Sequence, residues 1–428
     1  ITVNAQTIYS NGTGGGQWNV SSTWIGGVVP NANSDVVIAG GDSVYTLVGA
    51  VCNNLTLYNG GIFATSVDTV GVASTLTLED GSTFYNKTTN PRAPGQERIL
   101  EPNSTVVHSG SGTVGGVGND VFGNLVIQRA EGCTPATNLL IQGNLIINNS
   151  ANNVVFRGAR PPTTGSQTHT VLGDVHVLKG ILSCIDVGDN AMSCIWNIEG
   201  SVYVTDAGNN RDARIGPFSS ANASGLGIFN IGGDLIINGG RLQAGTSSTS
   251  GPGTGIINLS GNLVLSSTSA VATNSLGPFA LNFVGNGIQT VSSQIHFSMG
   301  TNVYDTINVG SSVVFDLDTC YWRSTTGGDF LVNGSLEMKT MSRLMGAGSF
   351  TLNTGSTLKI GSPDGISLAD TLGNIRVAGT RTFSEDANYE YKSNVPQIFG
   401  DGLPTTVNGF AVNNPNGFSL SGNMNVNG

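Results

Sequence analysis

The side chains best placed for chemistry are carboxylates in two successive loops. One loop reads Ile185-Asp186-Val187-Gly188-Asp189-Asn190, and the other runs from Thr205-Asp206 to Arg211-Asp212-Ala213-Arg214. If the loops stack, Asp186, Asp189, Asp206 and Asp212 offer the hard oxygen ligands that Ca²⁺ takes. Arg211 or Arg214 would then engage a uronate carboxylate through paired hydrogen bonds, as in a polysaccharide lyase. The same residues also read as loop aspartates capping turns, with Arg–Asp pairs solvating a corner. Asp316, Asp318, Tyr321, Trp322 and Arg323 cluster around Cys320. They offer an indole face to a sugar, or else form one inward strand with a decorated loop.

Other chemistries find less in the sequence. His108, His169, His176 and His296 are isolated, and none has the spacing of a paired metal site. His176 alternates with Val175 and Val177, so it faces the opposite side, toward solvent. There is no Cys-x-x-Cys pair for zinc, and Gly14–Gly16 lacks the strand–loop–helix setting of a phosphate loop. Five cysteines are too dispersed for a disulfide framework. Cys184 and Cys194 can bridge across one coil if the chain is oxidised; otherwise all five are small core residues. No catalytic residue and no cofactor other than Ca²⁺ is assigned.

The elements that must carry these residues announce themselves by repetition. The phrase apolar–x–apolar–x–Gly–(Asn/Asp/Ser)–apolar–x–apolar reads LLIQGNLII at Leu139–Ile147, HTVLGDVHV at His169–Val177 and WNIEGSVYV at Trp196–Val204. It returns at Phe229–Ile237, Ile257–Leu265, Phe330–Met338 and Phe418–Val426. Each copy predicts two short alternating strands joined at a corner, with one face buried. Gly permits a sharp bend or a positive φ, and the neighbouring Asn, Asp or Ser can bond nearby backbone. Corner glycines at 123, 143, 173, 200, 233 and 261 suit a coil of three strands with loops of varying length. Three five-residue strands give a perimeter of roughly 50 Å before loops. The fold class expected is all-β, a right-handed parallel β-helix with a small N-terminal cap, its outer faces reinforced by Asn and Thr ladders.

Composition agrees. Of 428 residues 62 are Gly, about twice the usual share, and charged residues make up only 10%. With 38% hydrophobic residues the chain is not disordered, and Val, Ile, Leu and Phe fall in short runs bounded by turn formers. A net charge of −10 with scattered basic residues argues against nucleic acid, and no apolar run is long enough for a membrane span.

Residues 1–5 read as a signal-peptide remnant, with Val3-Asn4-Ala5 as the cleavage site, or else as an ordinary strand. Residues 6–50, with Trp18 and Trp24, read as a cap over the open end of the solenoid. Regular coils are expected over 51–282 and coils of a longer repeat over 283–428. That longer unit runs from an apolar strand through a Gly-x-Gly or Gln-bearing turn to the corner phrase, as at 281–338 and 389–426. Because a corner phrase ends at Val426, the coils are expected to continue past 428 or to meet a further subunit.

The opening GGGQWNVSSTWIGGVVPNANSDVVIAGG and the segment YEYKSNVPQIFGDGLPTTVNGFAVNNPNGFSLSGNMNV resemble secreted β-helix surface proteins of Bacteroidota, cargo of the type 9 secretion type. Ser34, where that family commonly has an Asp, and the irregular coils between 283 and 390 depart from its pattern. The resemblance implies export to the cell surface and a role as adhesin, filament or matrix component. It also implies O-glycosylation at Asp–(Ser/Thr)–apolar sites, here Ser43, Thr69, Thr306 and Thr371, which otherwise read as plain Asx turns. The function expected is a non-enzymatic, secreted cell-surface structural protein. Its partners would be copies of itself or other surface proteins, with surface glycans as further ligands. The alternatives are a lyase-like polysaccharide enzyme and the carbohydrate-binding part of a larger secreted enzyme.

Overall fold

The computed structural model describes residues 6–47, 49–66, 70–88, 95–110, 120–159, 165–185, 192–206, 208, 212–218, 225–245, 253–266, 270–273, 278–293, 297–299, 305–317, 319–322, 329–420 and 422–428. The chain is a parallel β-helix whose walls pair in parallel, with isolated antiparallel bridges between Ser10 and Trp24 and between Thr205 and Gly239. It forms two compact units, Ile1–Ala159 with Gln167–Leu182, and Arg160–Ser166 with Ser183–Gly428. The change of repeat at 283 falls inside the second unit. Helix among the described residues amounts to two 3-10 turns, Ser21–Thr23 and Ile25–Gly27, and none is long and apolar enough to cross a membrane.

Each coil lays down up to three strands, and equivalent strands pair coil to coil. In the first unit one wall stacks Thr7–Tyr9, Asp35–Ile38, Asn54–Leu57, Thr75–Leu78 and Glu97–Leu100. A second wall stacks Gly15–Gln17, Ser43–Tyr45, Ile62–Ala64, Thr83–Asn86 and Thr105–His108, then continues through Asn124–Ile127 to Leu145–Asn148. Strands Ala50–Cys52 and Val70–Val72 begin a third. In the second unit the first wall runs from Met192–Ile198 through Leu226–Ile231, Thr254–Leu259 and Phe279–Phe283 to Arg381–Phe383. Coil lengths vary as expected: 19 residues separate Asp35 from its partner Asn54, while 33 separate Asn197 from Asn230.

Strict alternation explains the core. Along Met192–Ile198 the residues Met192, Cys194, Trp196 and Ile198 point inward, and Ser193, Ile195 and Asn197 point outward. His176 follows the same rule and lies outward between buried Val175 and Val177. Inward residues of successive coils form columns, such as Phe330, Phe350 and Phe383, with ring centroids 5.9 and 5.5 Å apart. Each such ring contributes about 1.5–3 kcal/mol by leaving water.

Trp18 and Trp24 extend a column of aromatic rings in the first unit. Trp18 and Trp24 are buried and meet edge to face at 5.1 Å, and the Trp24 Nε1–H donates to the Trp18 carbonyl at 2.7 Å. Trp18 then leans on Phe63, which stacks on Phe84. Within residues 6–50, Thr7–Tyr9, Gly15–Gln17, Asp35–Ile38 and Ser43–Tyr45 already pair as rungs of the walls.

Candidate functional site: the corner ladders

The recurring corner is where sequence, geometry and chemistry meet. In the first unit Asn124 Oδ1 accepts the Asn144 amide of the next coil at 2.8 Å, and Asn144 Oδ1 accepts the Asp174 amide at 2.7 Å. In the second unit the Asp234 amide donates to Ser201 Oγ at 3.0 Å. Asp234 Oδ1 accepts the Asn262 amide at 2.6 Å, and Asn262 Oδ1 accepts the Thr290 amide at 2.8 Å. The polar residue of the phrase therefore bonds the backbone of the following coil, at the corner where the strand ladder is interrupted.

This explains the glycine beside it, for a reason other than backbone angle. Gly143, Gly173, Gly233 and Gly261 are not among the residues with positive φ. A Cβ on Gly173 would lie 2.6 Å from the Gly143 carbonyl oxygen, and one on Gly233 would lie 2.8 Å from that of Gly200. On Gly143 it would collide with Asn124 Oδ1, and on Gly261 with the Gly233 carbonyl. The preceding coil fills the space that any side chain would need.

A second ladder runs up the outer face of the second unit. The Asn230 Nδ2 donates to Asn197 Oδ1 at 2.7 Å, Asn258 to Asn230 at 2.7 Å, and Asn282 to Asn258 at 2.8 Å. Asn308 pairs in register with Asn282. From Asn308 the ladder steps to the corner, with Asn333 donating to Asn308 at 2.7 Å and Asn353 to Asn333 at 2.6 Å. The expected asparagine ladder is present.

The glutamine of the longer repeat has a role that its place in a turn did not reveal. Gln289 is buried, and its Nε2 donates to the carbonyls of Leu259 at 2.9 Å and Gly261 at 2.6 Å. Gln397 does the same to Ile360 and Ser362, both at 2.9 Å. Both are clamps between consecutive coils, and their occurrence at matched positions of two repeats was the signal available in the sequence.

The carboxylates suggested by the sequence divide. Asp186 and Asp189, with Arg211, Asp318 and Arg323, lie outside the described residues. Asp206 is buried and its oxygens accept the Gly208 amide at 2.9 Å and the Asp212 amide at 2.6 Å, so it caps its own loop. Asp212 is half-buried, and among the described residues no three carboxylate, His or Cys side chains gather as a metal site. Asp316 lines a groove of about 600 Å³ with Ser292, Ser293, Ile236 and Val264. A second hollow, of about 530 Å³, lies between the 361–373 loop and residues 398–405 and has Asp364 and Asp401 in its lining.

Of the hydroxyls read as glycosylation sites, Ser43 and Thr371 are exposed, Thr306 is half-buried on an outward position, and Thr69 lies outside the described residues. Beside Ser43, Asp42 accepts the Gly12 and Gly14 amides, each at 2.8 Å. Burial would raise its carboxyl, but these bonds, with those of Ser10 and Gly15, hold it below the usual carboxylate value. Cys184 and Cys194 are both fully buried in the second unit.

The fold and its ladders define the molecule as a parallel β-solenoid in which the corner and asparagine-ladder side chains join coil to coil. No protein-family model, no curated protein and no solved structure matches this chain.

Proposed function

We propose that this chain is a non-enzymatic, secreted structural protein, a stacked β-scaffold that displays variable loops at a cell surface and associates with copies of itself. The observation that carries this reading is the use of the recurring polar positions within the chain itself. Asn144, Asp234 and Asn262 at the corners, and Asn197 to Asn353 along the outer face, spend their side chains on cross-coil bonds. Asp206, a described carboxylate of the Ca²⁺ and lyase candidates, instead spends both oxygens on the backbone of its own loop. What varies between coils is loop length, which suits display. Export follows from the resemblance of the opening and final segments to surface β-helix proteins, and the exposed Ser43 and Thr371 are where a glycan would add solubility to a low-charge surface.

A second reading, polysaccharide binding or cleavage, draws on the Asp316 groove. Incubating the purified chain with polyuronates, with and without Ca²⁺, separates the two. The structural reading expects no unsaturated products under either condition. Ca²⁺-dependent cleavage that is lost in Asp316→Asn would overturn it.

A further inference from the structure

We propose that Cys184 and Cys194 form an internal disulfide when the chain folds in an oxidising environment. The two thiols are hydrogen-bonded to each other in the core of the second unit, and both side chains are fully buried. The Cys184 Sγ–H also lies 3.4 Å from the Ile228 carbonyl oxygen. Ile228 sits on the strand Leu226–Ile231, where Gly227 is the ladder partner of Cys194. A Cβ on Gly227 would stand 3.1 Å from the Cys184 Cβ, so the missing side chain at 227 is what admits Cys184 beside Cys194. Cys52 stacks in register on Val72, Cys133 bridges to Phe156, and Cys320 lies in register between Phe297 and Leu344, so no thiol stands at their ladder partners. Geometry therefore selects this pair from the five cysteines.

The bond forms during folding, because burial holds the Cys184 thiol well above its ordinary value and the finished core excludes an oxidant. A thiolate of one cysteine attacks the S–S bond of glutathione disulfide, giving a mixed disulfide and releasing one glutathione. The thiolate of the second cysteine then attacks the cysteine sulfur of that mixed disulfide, closing the internal S–S bond and releasing the second glutathione. Two cysteine protons and two electrons pass to the oxidant, so the exchange balances. The link joins the end of the strand Val175–Ile185 to the start of Met192–Ile198 and closes the loop between them. A closed loop has less freedom in the unfolded chain, which stabilises the folded coil.

Cell-free synthesis of the full chain in a glutathione–glutathione disulfide buffer tests the pair without any assumption about export. The product is alkylated in denaturant without reductant and cut with trypsin, which leaves both cysteines in the peptide Gly180–Arg211. The expected peptide carries no alkyl group and is about 2 Da lighter than its reduced form, for the two hydrogens lost. Cys52, Cys133 and Cys320 are expected to be alkylated. Alkylation of all five, or a link from either cysteine to one of the other three, overturns the proposal. In Cys184→Ser the peptide gains an alkyl group at Cys194. Reductant is expected to lower the unfolding midpoint of the wild type and leave that of C184S in place; an equal shift in both would overturn the stabilising role. The wild-type peptide mass decides the pairing even if C184S does not fold.

Discussion

Gly233 and its counterparts are held to glycine by the crowding of the preceding coil. Gly233→Ala is expected to destabilise the chain by about 1–3 kcal/mol, the usual cost of forcing atoms into a packed region. Gly287 has no neighbour within 4 Å of its would-be Cβ and no positive φ, so Gly287→Ala is the control, expected to stay within about 0.5 kcal/mol. Denaturant midpoints compare the two, and equal effects would contradict the crowding argument. His108 gives a second prediction at this scale. It is buried, its Nε2 accepts from Arg129 Nη1 at 2.9 Å, and burial together with the Arg129 cation pushes its pKa down to about 3. The unfolded ring protonates near its ordinary 6.5, so between those values the unfolded chain holds the extra proton. The contribution of neutral His108 is full above pH 6.5 and is lost as pH falls toward 3, by at most about 1.4 kcal/mol per pH unit. His108→Gln keeps an acceptor for Arg129 and should flatten the dependence of unfolding free energy on pH between 6 and 4. An unchanged slope would show that another group sets it.

At the scale of the element, the ladders add directional bonds to a stack whose core is columnar. Asn258 donates to Asn230 and accepts from Asn282, so Asn258→Ala removes both bonds and leaves two neighbours short. The cost expected is about 1–3 kcal/mol, and a double-mutant cycle with Asn230→Ala should show coupling, since the two share one bond. Strict additivity would mean that the ladder is decorative. Charges also stack: Glu337, Lys359 and Glu390 occupy one outward column, with Lys392 2.9 Å from Glu337. Much of this scale was legible in the sequence. The alternation about Gly143 or Gly233 defines two strands and a corner, and the asparagine at the same place in FNIGG and INLSG foretold the ladder. The reason for the glycine was not legible, because the crowding atoms of Asn124 or Gly200 lie a full coil away in sequence. The same distance hid the Gln289 and Gln397 clamps, whose acceptors are 28 to 37 residues earlier.

For the whole molecule, stability in a stack of this kind is close to a sum of coils and their nearest-neighbour contacts. Loops can therefore lengthen or change with little effect beyond adjoining coils, and the 19- to 33-residue range between stacked partners fits that freedom. The candidate chemistry read less clearly than the fold. Asp206 stood out as a ligand because of its spacing, yet an aspartate two residues before a glycine is equally the signature of the turn it caps. Hydrogen-bonding side chains directed at their own backbone, in a chain of net charge −10 and few charges overall, suit a scaffold better than a reaction centre. The most direct measurement of that claim is electron microscopy of the native protein, on the cells that make it and after purification from them. The account predicts ordered filaments or a sheath at the cell surface that persist in the purified material. Dispersed single particles confined to the cell interior would contradict it.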